Sequence, residues 1–214
     1  MAEAILHGYF RSSASFRVRI ALALKGISYD SVPHHLRRGE QRDPAYLALN
    51  PQGLVPTLMI DGLAIGQSLA IIDYLEESRP EPPVLPADAA GRARVRMIAQ
   101  MIACDIHPID NLRVLKYLRE TLGQPQETIA EWYNHWIGEG FDAIEAVLAS
   151  GSTGRFCHSD HPTLADICLV PQVVNSRNFG FDLAPYPTIG RIFDTAMHLP
   201  AFEGSMPQNQ PDAE

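Results

Sequence analysis

Apolar positions in the first eighty residues come in short runs and then in helical spacing, by turns. Strands are predicted at 5–9, 29–33, 57–60 and 63–65, and helices at 14–25, 43–49 and 69–78. Lys25-Gly26 ends the first helix, with Gly26 as a left-handed cap. Asn50-Pro51 ends the second. Asp61-Gly62 between the last two strands is a two-residue hairpin signal. The third helix is read as capped by Ser68, with Leu69, Ile72 and Leu75 on one face and Ile71 beside them. The order β-α-β-α-β-β-α predicts a compact α/β domain over residues 1–80.

Pro80, Pro82, Pro83 and Pro86 then exclude helix and mark a linker, drawn at 81–87. Beyond it the strand signal disappears, and residues 88–214 read as an all-helical domain. Helical periodicity runs from 87 to 106, stopped at Pro108, and from 111 to 121, broken by Gly123 and Pro125. It returns from 127 to 150, with Trp132, Trp136, Ile144 and Val147 as expected core. Thr163-Leu164-Ala165-Asp166 has the form of a capping box, with Asp for the usual Glu, before a helix to about residue 176. Asp166 is accordingly read as structural. The last helix spans 187–199, and the tail after Phe202 is expected to fray.

Composition narrows the function classes. The 214 residues are 46% hydrophobic and 20% charged, as in ordinary globular proteins. A net charge of −8 argues against a general nucleic-acid binder. No apolar run reaches the ~18 residues that span a bilayer, and no membrane partner is expected. Cys104, Cys157 and Cys168 are odd in number and widely spaced, which suggests a reducing cytoplasm and no disulfide framework. Cys104 and Cys168 fall in apolar helices and are expected in the core. No metal site is expected, since His34, His35, His158 and His161 lack partners at ligand spacing. Arg37, Arg38 and Arg42 read as a solvated face.

Three short segments carry candidate chemistry. Arg11-Ser12-Ser13-Ala14-Ser15-Phe16-Arg17 joins a strand to a helix start rich in hydroxyls. Unpaired N–H groups and serine hydroxyls there can hold an anion such as a thiolate. A plain serine N-cap explains the same residues. Val55-Pro56-Thr57 places a proline just before a strand, and the Val55–Pro56 bond is a candidate for the cis form. Such a turn leaves the Val55 N–H and C=O to pair with an extended peptide-like ligand, or is an ordinary loop beside an edge strand. Gln67-Ser68 at the third helix start suits a carboxylate, or again a simple cap.

The three segments in this order resemble the glutathione-binding domain of glutathione transferases. The similarity sharpens to the zeta class, whose members isomerise maleylacetoacetate and maleylpyruvate. Ser12-Ser13-Ala14-Ser15-Phe16-Arg17-Val18-Arg19-Ile20-Ala21-Leu22 is similar to that class's signature. Asn50-Pro51, Gln67-Ser68-Leu69-Ala70-Ile71-Ile72 and Asp105-Ile106-His107-Pro108 fit it too, as does Asp182-Leu183-Ala184-Pro185-Tyr186-Pro187. The resemblance covers nearly the whole chain. It implies a thioredoxin-like glutathione-binding domain, an all-helical substrate domain, glutathione as cofactor, and a cytoplasmic homodimer.

The residues that the resemblance implies follow position by position. Ser12, Ser13 and Ser15 stabilise the thiolate, Ser13 first and Ser12 second, with Arg17 in the same stretch. Val55 pairs with the cysteinyl part of glutathione, and Gln67 and Ser68 with its γ-glutamyl carboxylate. Gln41, His107 and Asn111 line the glutathione side. Arg11, Arg113 and Arg177 are candidates for the carboxylates of a small dicarboxylic substrate, Arg11 also lying next to the thiol.

The implied reaction is cis–trans isomerisation of a maleyl-type dicarboxylic acid in the breakdown of tyrosine or related aromatic compounds. Conjugation or dehalogenation of small α-halo acids is the alternative, and a non-catalytic binding module the second. The family cysteine is Ala14 here, which disfavours chemistry that needs a protein thiol. Asn178 stands where the family has an arginine, and Arg177 precedes it. One helical residue is a turn of about 100°, so Arg177 need not point where that arginine does.

Overall fold

The computed structural model describes residues 2–149 and 151–214. The chain divides into two compact units, Met1–Pro83 with Met197–Glu214, and Val84–Ala196.

The first unit is built on β1 (Ala4–Gly8), β2 (Tyr29–Pro33), β3 (Thr57–Ile60) and β4 (Leu63–Gly66). They form one sheet in the order β2-β1-β3-β4. β1 pairs parallel with β2 and antiparallel with β3, and β3 with β4 antiparallel. Parallel pairing of consecutive strands requires a crossover, and α1 (Ser13–Leu24) supplies it. Asp61 and Gly62, with φ of 51° and 77°, make the tight hairpin between β3 and β4. α2 (Pro44–Leu49) and α3 (Ser68–Ser78) complete the α/β set. This is the thioredoxin-like arrangement that the resemblance implies.

α1 is buried almost throughout. Phe16, Ile20 and Leu22 join Leu6, Leu58, Ile71, Ile72 and Leu75 in the core. Arg17 and Arg19 are buried in the same helix, so their guanidinium groups need partners. Arg19 donates to the carbonyls of Ser205, Tyr9 and Phe10 at 3.1, 3.5 and 3.1 Å. Lys25 closes the helix by donating to Glu76 and to the Arg79 and Pro82 carbonyls at 2.8–3.0 Å.

The second unit is helical. It comprises α4 (Ala89–Gln100), α5 (Leu112–Glu120), α6 (Gln126–Leu148), α7 (Leu164–Asn178) and α8 (Pro187–Met197). α9 (Pro200–Glu203) belongs to the first unit and packs on α1. No helix among the described residues is long and apolar enough to cross a membrane.

Several expectations change. The helix expected over 87–106 is α4, capped by Asp88, followed by a π-helical turn over Met101–Ile106. That winding buries Ile102 and Ile106 and turns Cys104 outward, so Cys104 is exposed while Cys168 is buried. On α6 the buried stripe is Ile129, Tyr133, Ile137, Phe141, Ile144 and Leu148, at three- and four-residue steps. Trp132, Trp136 and Val147 lie at its edges, where Trp132 donates its indole N–H to the Ile109 carbonyl. Ser150, the last residue expected in that helix, lies outside the described residues.

The capping box at Thr163 and Asp166 is present, and Asp166 accepts from the Thr163 N–H and hydroxyl at 2.8 Å. Ser68 is the first residue of α3 rather than its cap. The tail is not frayed. Asp212 accepts from the Phe10 N–H at 3.0 Å, and Glu214 pairs with Arg38.

Candidate functional site

β1 ends at Gly8, and the chain turns through Tyr9–Ser12 before α1 begins. Ser12 is the N-cap. Its hydroxyl oxygen accepts from the Ser15 N–H at 3.1 Å, and its N–H donates to the Tyr9 carbonyl. A hydroxyl that accepts in this way keeps its own hydrogen for another acceptor. Ser12 is half-buried, Ser13 is buried, and Ser15 is fully buried beneath Gly8 of β1. The three serines therefore differ in access, and Ser12 is the most open. Ala14 is half-buried. Arg11, beside Ser12, is exposed and makes no ion pair among the described residues.

The second segment is the turn before β3. The Val55–Pro56 bond is cis. Neither the N–H nor the C=O of Val55 has a hydrogen-bond partner among the described residues. Its side chain packs in a cluster with Tyr9, Phe10, Tyr46 and Leu36. The preceding Leu54 carbonyl is tightly held, by the Tyr46 hydroxyl at 2.6 Å and the Asn50 side-chain amide at 2.8 Å.

The third segment is the corner into α3. Gln67 has φ of +66°, an unusual conformation for a residue with a side chain. Such backbone costs ~1–3 kcal/mol and concentrates at functional positions. The Gln67 amide donates to Gln52 at 2.7 Å. Ser68 follows at the helix N-terminus, buried, and its hydroxyl accepts from Arg17 at 3.3 Å. Arg17 therefore sits behind Ser68 and leaves the Ser68 hydrogen to be donated outward. N–H groups, a polarised hydroxyl and a guanidinium behind it suit a carboxylate.

These features fit glutathione. The turn at Val55 offers a free donor and acceptor to a peptide, and the Ser68 corner suits an anionic end. Gln41 Oε1, in the short helical turn Glu40–Arg42, is a further buried acceptor with no protein partner among the described residues.

Two site candidates of the second unit, His107 and Asn111, lie just before α5, and Arg113 lies in its first turn. Asn111 caps α5, accepting from the Arg113 N–H at 3.1 Å, and lies 3.3 Å from His107. Arg113 is exposed. Arg177 is laid over the Phe193 ring at 4.1 Å. That cation–π contact occupies it at the C-terminal end of α7. Asp110, between His107 and Asn111, was missed in the sequence because nothing local marks it. It is 3% exposed, both carboxyl oxygens lack partners among the described residues, and burial pushes its pKa up to about 8.

Comparison with known proteins identifies the family. The family described as glutathione S-transferase, N-terminal domain, matches residues 6–83. The chain is 49% identical to maleylacetoacetate isomerase of Pseudomonas aeruginosa over 97% of both chains. A holo structure of maleylpyruvate isomerase, a bacterial glutathione S-transferase of the zeta class, superposes with a TM-score of 0.96 at 47% identity. That match covers 98% of this chain and 100% of the other. Maleylacetoacetate isomerase of Methylobacterium extorquens AM1, solved with bound malonate and GSH, superposes with a TM-score of 0.95 at 44% identity. It covers 98% of this chain and 99% of the other. The strand–turn–helix hydroxyls, the free Val55 backbone and the Gln67-Ser68 corner thus lie in a chain that belongs to the zeta-class glutathione transferases, the maleylacetoacetate and maleylpyruvate isomerase family.

Proposed function

We propose that this protein is a glutathione-dependent cis–trans isomerase of a maleyl-type dicarboxylic acid, serving tyrosine or related aromatic catabolism. The observation that carries the reading is near-half identity, over essentially the full length, to an enzyme named for this reaction. When bound, glutathione supplies a thiol whose reversible addition to the activated double bond lets that bond turn. The chain supplies the binding and the electrostatics. Val55 pairs with the tripeptide backbone, and Gln67 and Ser68 take the γ-glutamyl carboxylate, with Arg17 reinforcing Ser68. Gln41, His107 and Asn111 are further glutathione contacts.

Ser12 donates its free hydroxyl hydrogen to the sulfur, supported by the N-terminus of α1. Its access favours it over Ser13, the first choice from family position, and Ser15 supports the turn from below. Arg11 holds a substrate carboxylate in its planar fork. Arg113 is the second carboxylate partner, and Arg177 ranks after it because Phe193 engages its guanidinium. A cytoplasmic homodimer is part of the same reading, supported by family membership and by three free thiols.

The test is incubation with maleylpyruvate and with maleylacetoacetate, with and without glutathione, followed by ultraviolet absorbance. Isomerisation that requires glutathione without consuming it is expected. Consumption of glutathione with α-halo acids, and no turnover of either maleyl acid, would move conjugation ahead.

A further inference from the structure

Two histidines below the Val55 turn take no part in the site as described. His7 of β1 and His34, just after β2, place Nδ1 and Nε2 2.9 Å apart. The His34 ring lies 4.2 Å from the Tyr46 ring, and the His7 ring 5.8 Å from it. Tyr46 is 2% exposed. Its hydroxyl donates to the Leu54 carbonyl and lies 2.9 Å from Thr57 Oγ1. Asn50 donates to the same carbonyl and approaches the same threonine.

The Leu54 C=O and the Val55 N–H belong to one planar trans peptide, so they point in opposite directions. Whatever fixes the Leu54 oxygen also aims the Val55 N–H. Two donors on that oxygen also polarise the peptide and strengthen its N–H as a donor.

We infer that the His7–His34 pair and Tyr46 form a pH-sensitive brace that aims the Val55 N–H at bound glutathione. The inference deepens the proposed function and rests on the glutathione reading of Val55. His7, His34 and Tyr46 are positioning residues; none of them touches the ligand.

The chemistry of the pair sets the pH response. Across a 2.9 Å N···N contact one ring donates and the other accepts, so one facing nitrogen must lack a proton. Two protonated rings would bring N–H against N–H and charge against charge. The rings then part, and Tyr46 loses its support. Burial holds both histidines below the ordinary value of 6.5, with mutual repulsion adding at His7. Glu40 and Asp43 oppose this at His34. The Glu40 carboxylate is engaged by the His35 N–H at 2.6 Å. Tyr46 is neutral throughout, since burial raises its pKa. One protonated ring can still donate to its neutral partner, so the brace is intact at neutral pH and fails only well below pH 6.5, when the second ring takes its proton.

Calorimetric titration with S-methylglutathione tests this, because its blocked thiol cannot ionise. Wild-type affinity should fall about fivefold between about pH 7.5 and about pH 4.5, the worth of one hydrogen bond. His34→Phe keeps a ring against Tyr46 and should bind at the neutral-pH affinity with the slope abolished. Tyr46→Phe, one oxygen smaller, should bind about tenfold more weakly at neutral pH. A flat wild-type profile, a wild-type slope in His34→Phe, or unchanged affinity in Tyr46→Phe would each overturn the brace. Should His34→Phe fail to fold, Tyr46→Phe alone decides. A wild-type protein that does not bind S-methylglutathione at any pH would instead overturn the glutathione reading beneath it.

Discussion

At the scale of single residues, the hydroxyl proposed to activate the thiol is also the N-cap of α1. Ser12 Oγ accepts the Ser15 N–H while its hydrogen stays available. Ser12→Ala should therefore lose ~1 kcal/mol of stability with the cap, and raise the bound-thiol pKa by about one unit with the lost donor. Ser12→Gly separates the two, since glycine is tolerated at an N-cap. Its bound thiol should titrate like that of the alanine variant, while its melting temperature stays near wild type. A second prediction concerns Arg11. Arg11→Met should lower kcat/KM for a maleyl acid by ~2–4 kcal/mol, the range for truncating one partner of a charge pair, and leave glutathione affinity nearly intact. Arg11→Lys should recover only part of the loss, because an ammonium cannot reproduce the fork. Equal losses on a neutral electrophile would assign Arg11 to the thiol or the fold instead. The serine run, Val55-Pro56 and Gln67-Ser68 were legible in the sequence because each is a local pattern of residue types. Asp110, His34 and Tyr46 were not, because their surroundings come from residues distant in the chain.

At the scale of elements, the turn between β1 and α1 is held from two directions. Arg19 gathers the Tyr9 and Phe10 carbonyls, and Asp212 of the tail takes the Phe10 N–H. Burial lowers the Arg19 pKa to about 10, which still leaves it charged at neutral pH. Arg19→Met should cost ~2–4 kcal/mol in urea denaturation, because it strands buried carbonyls as well as removing bonds. A loss no larger than that of an exposed-surface substitution would mean that the turn holds itself. Element boundaries in the first unit were readable to within a residue or two, since capping glycines, Asp61-Gly62 and the alternation of periods are all local. The π-helical turn at Met101–Ile106 and the anchored tail were not. One depends on which face the neighbouring helices bury, and the other on an aspartate meeting a turn some 200 residues earlier.

For the whole molecule, half-buried histidines and a buried carboxyl oppose one another. Below pH 6.5 the unfolded chain protonates His7 and His34 more readily than the folded one, so stability falls as pH drops. Asp110 acts in reverse. Between about pH 4 and about 8 the folded chain holds a proton that the unfolded chain releases, so stability falls as pH rises. The melting temperature should therefore pass through a maximum near pH 6.5 rather than a plateau. Asp110→Asn, nearly the same shape as the neutral acid, should raise stability at pH 8 by about 2 kcal/mol and flatten the alkaline side. An unchanged alkaline limb in a thermal scan would show that Asp110 ionises freely. A different tension lies in the left-handed backbone at Gln67. Glycine adopts that conformation without strain, so Gln67→Gly should raise the melting temperature while weakening glutathione binding. A laboratory population selected only for heat resistance would thus drift toward glycine at this corner. It would keep the fold and discard the ligand, as expected where durability and activity place opposite demands on one residue.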